Sequence, residues 1–163
     1  MIDFDVLNVY RRLRPLPNGR WLFSKALCLA APYFSTISPL VTDLRPGHCE
    51  IKIRKRRSIT NHLGSIHAIA MCNLAELCAG LCLDCSLDKQ TMRWIPKGMT
   101  VSYIKKARTD LYGYIDFNPR SLKKGDKVLT VDILDSTNEK VFTAAITMQI
   151  DHRKEGKRKK IIL

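Results

Sequence analysis

A single carboxylate stands inside an almost uncharged, helix-like stretch of the sequence. Residues 61–80 read NHLGSIHAIAMCNLAELCAG, and Glu76 is their one full charge among two histidines, two asparagines and small or apolar residues. Taking a carboxylate out of water is costly unless it is paired, so Glu76 either lies on a wet side of the helix or serves a site. In a site, a glutamate can act as a general base for water or as a nucleophile.

The start of the same helix offers hydrogen-bond donors. Ser65 is a suitable N-cap residue, which would leave the N–H groups of Ile66, His67 and Ala68 unpaired in the first turn. Such donors, at the positive end of the helix dipole, suit a developing oxyanion. Ala68 and Glu76 are separated by about 12 Å along a helix, so they cannot easily reach one carbonyl in the same chain. Two antiparallel helices about a two-fold axis would bring them together, which predicts a dimer with two shared sites.

The elements that must position these residues predict an α+β domain. The apolar periodicity is helical in the first part of the chain and alternating in the last part. Short polar turns between the last segments indicate an antiparallel sheet, with the long helix laid on it. We expect helices at 4–13, at 19–31 and from about 65, and strands at 39–45, 48–55, 100–107, 111–118, 127–136 and 140–150.

The residues at the helix start resemble the signature of hotdog-fold thioesterases, most closely the phenylacetate-pathway (PaaI-like) acyl-CoA type. That signature has an Asn, then Gly-Thr-x-His-Gly-Gly, then an acidic residue nine positions after the His. Its members here, with the spacing intact, are Asn61, Gly64, Ser65, His67 and Glu76. The resemblance implies the hotdog fold, an antiparallel sheet wrapped around a long central helix, and the order of elements matches over residues 36–150.

The resemblance also implies roles for these residues. The N–H of Ala68, which stands in place of the first glycine, would polarise the thioester carbonyl, and Glu76 would activate water or attack. Asn61 would orient the water or the carbonyl, or it is a simple turn former. His67 is placed in the site by the signature, although a structural role in the first turn, with a hydrogen bond to nearby backbone, explains it better than a role as catalytic base. Gly64 and Ser65 would help to bind the substrate.

The charge of the chain fits an anionic substrate. Its 28 basic and 15 acidic residues give a net charge of +13, which favours nucleic acid, an anionic membrane or a phosphate-bearing group such as coenzyme A. In the thioesterase interpretation, basic residues at the mouth of the site would meet the phosphates of coenzyme A, which enters as part of the substrate. The candidates are Arg54, Arg56, Lys105 and Lys106. We expect no metal and no separate cofactor.

Length and hydropathy predict one domain of a cytoplasmic protein. The 163 residues suffice for one core, so we expect a single domain over 1–151, with an N-terminal helical extension over 1–35 and a basic tail over 152–163. The mean hydropathy is -0.13 and no apolar run reaches the length of a membrane span. Because no basic leader is evident, the six cysteines are expected to be free thiols. The expected assembly is a homodimer or a dimer of dimers.

Other functions stay open at this stage. A hotdog protein that binds an acyl ligand without hydrolysing it is expected if Ala68 and Ile69, in place of the two glycines, abolish catalysis. A basic nucleic-acid-associated protein would explain the tail, but no aromatic-interleaved motif accompanies it, so we expect no nucleic-acid partner. The C-x3-C-x2-C spacing of residues 78–85 occurs in iron–sulfur enzymes; here it falls on one helical stripe typical of core packing.

Overall fold

The computed structural model describes residues 5–153 of the chain. In this part, one antiparallel sheet surrounds one long helix, and two shorter helices precede them. The elements are α1 (Val6–Leu13), α2 (Gly19–Ala30), β1 (Leu40–Arg45), β2 (His48–Ile53), α3 (Ala68–Ser86), β3 (Met92–Tyr103), β4 (Leu111–Asp116), β5 (Gly125–Asp135) and β6 (Lys140–His152). Single 3-10 turns lie at Pro32–Ile37, Arg57–Ile59 and Pro119–Ser121.

The six strands form one sheet in the order β1-β2-β4-β5-β6-β3, and every neighbouring pair is antiparallel. Helix α3 packs on the face that carries the buried side chains of these strands. It approaches closely at β4, where a Cβ on Gly113 would come within 2.7 Å of the Cys78 Sγ atom. The predicted α+β class and hotdog fold are therefore confirmed.

Helix α3 is apolar on nearly all sides because the sheet wraps around it. By length and composition it could cross a membrane, but 67% of its apolar window is buried inside the domain, as expected of a core helix. All six cysteines are free thiols. Of those on α3, Cys78, Cys82 and Cys85 are buried, and burial raises the pKa of the Cys82 and Cys85 thiols, which keeps both protonated as small apolar groups.

Strand β3 differs from the prediction of a strand at 100–107, because it begins earlier and ends at Tyr103. The strand contains Pro96, and proline cannot donate a hydrogen bond to a neighbouring strand. In the structure β3 is an edge strand, where proline is tolerated, and a bulge between Pro96 and Gly98 absorbs it. The bulge also changes which alternate residues face the core, so Trp94 before it and Val101 after it both pack against the core.

The N-terminal helices α1 and α2 lie against β1. The hydroxyl of Tyr10 donates to the Thr42 carbonyl at 3.1 Å, and the N–H of Val41 donates to the Ser24 hydroxyl at 2.9 Å. These bonds fix the predicted N-terminal extension, from residue 5 onward, to one edge of the sheet. At the other end of the chain β6 includes His152, the first residue of the predicted tail. Residues 1–4 and 154–163 lie outside the described part.

Candidate active site

Helix α3 begins three residues later than the sequence predicted. The N-cap is His67, with φ -63° and ψ 142°, and its Nδ1 accepts a hydrogen bond from the N–H of Ile69 at 3.1 Å. The prediction that Ser65 is the N-cap is therefore wrong. Ser65 lies in the preceding loop, where its N–H donates to the Asn61 Oδ1 at 3.1 Å and its carbonyl accepts from the Asn61 N–H at 2.8 Å.

Two of the three predicted free donors are used within the chain. The N–H of Ile66 donates to the Ala107 carbonyl, and the N–H of His67 donates to the Ile59 carbonyl, each at 2.8 Å. The N–H of Ala68 donates to no acceptor within residues 5–153. The first turn of α3 thus keeps one unpaired donor, and it belongs to the residue that the sequence resemblance indicated.

The loop before α3 is organised by Asn61. Its Oδ1 accepts from the N–H groups of Leu63 and Ser65, at 3.0 and 3.1 Å, and its carbonyl accepts from the N–H of Gly64 at 3.1 Å. Gly64 has φ +70°, a conformation that glycine adopts at low cost. Asn61 is thus a turn former, and because its oxygen is held, its side-chain NH2 has a fixed direction. That NH2 donates to no other residue of the described part.

Glu76 lies in the middle of α3, half-buried. Its carboxylate makes no hydrogen bond or ion pair with any residue between 5 and 153. It lines an apolar cleft of about 320 Å³ between α2 and α3. The other lining residues are Leu27, Ala30, Ala31, Phe34, Leu77, Gly80, Leu81, Asp84 and Trp94.

Asp84, the second acid that lines the cleft, differs from Glu76 because each of its carboxylate oxygens has a partner. Its Oδ1 accepts from the indole Nε1 of Trp94 at 2.9 Å, and its Oδ2 lies 3.2 Å from the Lys89 Nζ. The indole packs against Gly80, where an added Cβ would lie 3.0 Å from it. Trp94 and Asp84 therefore close the far end of the cleft. Sequence reasoning missed both, because the signal was only a glycine in a helix and a tryptophan in a strand that was not predicted.

Strand β3 runs beside the half-exposed side of α3. Near the strand's beginning Trp94 bonds to Asp84, and at its end the Tyr103 hydroxyl lies 3.5 Å from the Cys72 Sγ. That hydrogen bond raises the pKa of Tyr103 to about 12, so the phenol is neutral at neutral pH. Because Glu76 lies between Cys72 and Asp84 on the helix, it faces the same side as the edge strand of the sheet.

A single chain does not bring the donor and the carboxylate together. Ala68 is the first residue of α3 and Glu76 is its ninth, which puts about 12 Å of helix between them. Asn61, Gly64, Ser65 and His67 all lie near the Ala68 end. The structure thus gathers the predicted residues into two half-sites, a loop with an N–H donor and a carboxylate at a cleft.

Of the four predicted phosphate-binding residues, two have partners within the described chain and two do not. The guanidinium of Arg56 donates to the Thr36 carbonyl at 2.6 Å and to the Ile37 carbonyl at 3.3 Å, which ties the loop before α3 to the turn after α2. Lys105 pairs with Glu139 at 2.7 Å. Arg54 and Lys106 are exposed and have no hydrogen-bond or ion-pair partner in the described part.

The four predicted residues lie on two loops, 54–67 before α3 and 104–110 before β4. Sequence reasoning missed three further cations on these loops, although the basic segments that contain them are evident in the sequence. They are exposed and form no side-chain hydrogen bond or ion pair within the described residues: Lys55, Arg57 and Arg108. The bond from Ile66 to Ala107 joins the two loops at the start of α3. Five unpaired cations therefore lie on the loops that flank the Ala68 N–H.

Known structures share this fold. A structural-genomics crystal structure aligns with 36% identity over 91% of this chain and 99% of its own, with a TM-score of 0.81. A Pseudomonas aeruginosa protein, described as of unknown function and "Probable Thioesterase", aligns with 22% identity over 85% of this chain and 97% of its own, with a TM-score of 0.72. A Haemophilus influenzae thioesterase aligns with 14% identity over 74% and 82%, with a TM-score of 0.66. No curated protein matches the chain in sequence.

The sheet, its central helix and these neighbours show that the chain has the hotdog fold, as the signature indicated. It belongs to the family described as Domain of unknown function (DUF4442), whose model matches residues 19–150. The finer PaaI-like assignment stays a prediction.

Proposed function

We propose that this protein hydrolyses acyl thioesters of coenzyme A or of an acyl carrier protein, as a dimer with shared active sites. The observation that carries the proposal is the carboxylate of Glu76, half-buried at an apolar cleft with no partner in the described chain. A carboxylate without compensation is costly, and the contrast with the engaged Asp84 on the same helix indicates that Glu76 is reserved for a substrate or water.

The second half-site supplies electrostatic stabilisation. In the proposed reaction the Ala68 N–H of one subunit donates to the thioester carbonyl oxygen and stabilises the negative charge that develops on it. Glu76 of the other subunit takes a proton from water, and the water oxygen attacks the carbonyl carbon. The carbon–sulfur bond then breaks, and the leaving thiolate takes the proton from Glu76, giving a carboxylic acid and a thiol and restoring the carboxylate. The free NH2 of Asn61 holds the water or the carbonyl in place.

The edge strand β3 supports the dimer. It is twelve residues long and pairs with β6 on one side, while its other side pairs with no strand of the described part. An unpaired edge of this length is a ready surface for a second copy. Antiparallel pairing of β3 with its symmetry mate would also place the half-exposed sides of the two α3 helices side by side, Glu76 of one toward Ala68 of the other.

The two ends of the substrate have matching surroundings. The apolar cleft beyond Glu76 suits an acyl group, and the five unpaired cations near Ala68 suit the phosphates of coenzyme A or the acidic surface of a carrier protein. Structures of a Staphylococcus aureus thioesterase carry alanine in place of a glutamate and of a glutamine fifteen positions apart, the separation between Asn61 and Glu76 here.

The test is thiol release from a panel of short, medium, long and aromatic acyl-CoAs, phenylacetyl-CoA included. Glu76→Gln keeps the size of the side chain and removes its basicity, so kcat should fall by about 10²–10⁴-fold. The matched control is Glu50→Gln, the same exchange at a half-buried carboxylate that accepts a 2.8 Å bond from Thr42 on strand β1, and it should keep full activity. A blank without substrate corrects for the six protein thiols.

A second candidate function is acyl-ligand binding without hydrolysis. It is favoured by Ile69, whose side chain is 56% exposed in the first turn of α3, where the resembling thioesterases have glycine. Saturable binding of acyl-CoA without turnover by any substrate of the panel would establish this second function and refute hydrolysis.

A further inference from the structure

The helix pair α1–α2 exposes cations and no acid. From Val6 to Thr42 the sequence contains no aspartate or glutamate, although it contains five basic residues. Within the described chain, Arg14 pairs with Asp43 at 3.8 Å and the other four form no ion pair. These four are Arg11, Arg12, Arg20 and Lys25.

The same helix pair exposes large apolar side chains. On α2, Leu29 is 83% exposed, and Leu22, two helical turns earlier, lies on the same side. Trp21 is also more than half exposed, with the Lys25 Nζ 5.6 Å from its ring centroid. Tyr33, just after α2, is 67% exposed. The opposite side of α2 is buried in the domain, so this apolar side is not needed for folding.

The chemistry of this surface selects its partner. Helices with Trp and Leu among Lys and Arg lie in the interface of a bilayer, where apolar side chains enter the acyl boundary and cations meet anionic headgroups. Trp and Tyr are enriched at the depth of the headgroups. A second copy is a poorer occupant, because a two-fold contact of α2 with itself would place Arg20 and Lys25 against like charges.

We propose that the α2 surface, formed by Trp21, Leu22, Lys25, Leu29 and Tyr33, docks the protein on membranes that contain anionic lipid. The docking is peripheral, and it does not depend on the proposed hydrolysis. It would have a consequence for the cleft, because Ala30 and Ala31, which follow Leu29, line the cleft that holds Glu76. The acyl cleft would then lie next to the bilayer surface.

The experiment is sedimentation with vesicles, using the full chain. Phosphatidylcholine vesicles are compared with vesicles of phosphatidylcholine and phosphatidylserine in equal parts, and we expect binding to the second kind. Leu29→Gln should weaken that binding by at least about tenfold, from the loss of one buried leucine. Lys25→Gln should weaken it about fivefold and reduce its salt dependence. Both positions are exposed, so circular dichroism should show an unchanged fold.

Control substitutions lie away from α2, on β5 and in the loop before it. Val128→Gln removes an apolar side chain from β5 that is 57% exposed, against 83% for Leu29, and Lys123→Gln removes an exposed cation that makes no ion pair in the described part. Both variants should bind like the wild type. The basic segment 152–163 is the same in all variants. Binding that Leu29→Gln leaves unchanged would assign the attraction to charge elsewhere and overturn the proposal. Absence of binding to the anionic vesicles, or a Leu29→Gln variant that forms a smaller oligomer, would also overturn it.

Discussion

Replacing Ala68 by proline removes one hydrogen-bond donor and leaves the geometry of the helix start intact. Proline suits the first position of a helix, and the preceding residue, His67, already has an extended conformation that proline permits. The Ala68 N–H has no acceptor in the described chain, so no internal bond is lost. The loss of a single oxyanion donor costs about 10²–10³-fold in kcat, or about 2.7–4 kcal/mol. We therefore expect the kcat of Ala68→Pro to fall by this factor. The variant should unfold in urea at nearly the wild-type midpoint. Ala68→Gly keeps the N–H and serves as the matched control.

The same variant tests whether the sites are shared. In a mixed dimer of Ala68→Pro and Glu76→Gln subunits, one site combines an intact Ala68 N–H with an intact Glu76, and the other site lacks both. Random mixing of equal amounts gives mixed dimers as half of the total, so activity should return to about one quarter of the wild-type value. If both groups acted within one subunit, mixing two inactive variants would restore nothing. Absence of recovery in confirmed mixed dimers would refute the shared site, and a fully active Ala68→Pro would refute the oxyanion role.

Two further predictions concern the domain that supports the site. Gly113→Ala should destabilise the protein by about 1–3 kcal/mol in urea unfolding, since the new methyl would lie 2.7 Å from the Cys78 Sγ and 3.0 Å from the Leu74 Cγ. A change below about 0.5 kcal/mol would contradict this prediction and would mean that α3 can move away freely. The hydrogen bond from His48 lowers the pKa of Asp116, so its contribution to stability is complete above about pH 4 and is lost as the pH falls through the lower pKa of the folded state. Denaturant unfolding across that range should show a weaker pH dependence for Asp116→Asn than for the wild type, and equal slopes would contradict the assignment.

Local sequence patterns were sufficient to locate the elements whose residues show a clear helical or alternating periodicity. Helix α3 and strands β4 to β6 are found where their periodicity predicted them, because a long apolar run and alternating side chains record burial directly. The start of α3 was mispredicted because the competition between Ser65 and His67 for the N-cap is decided by distant bonds. The N–H of His67 reaches the Ile59 carbonyl, and the N–H of Ile66 reaches the Ala107 carbonyl, a strand away.

Tertiary contacts also decide which charged residues are free, and local sequence does not show them. Glu76 and Ala68 were predicted from a compact signature, and the structure leaves both without a partner in the described part. Arg56 was proposed for phosphate from its basic run alone, yet its acceptors, the carbonyls of Thr36 and Ile37, lie about twenty positions earlier in the chain. Which cation of a run is free depends on such tertiary contacts, and a single sequence does not display them.

The two edges of the sheet differ in length and in what covers them. Strand β1 has six residues, is bulged between Val41 and Asp43, and has α2 packed against it. Strand β3 is twice as long and bare on its outer side within the described chain. Pairing of β3 with its own copy uses the bare edge of both partners at once, and what the pair then exposes is two copies of the short, covered edge. In the proposed dimer, association along the sheet would therefore be self-terminating, because the closed pair would offer no template for a growing fibre.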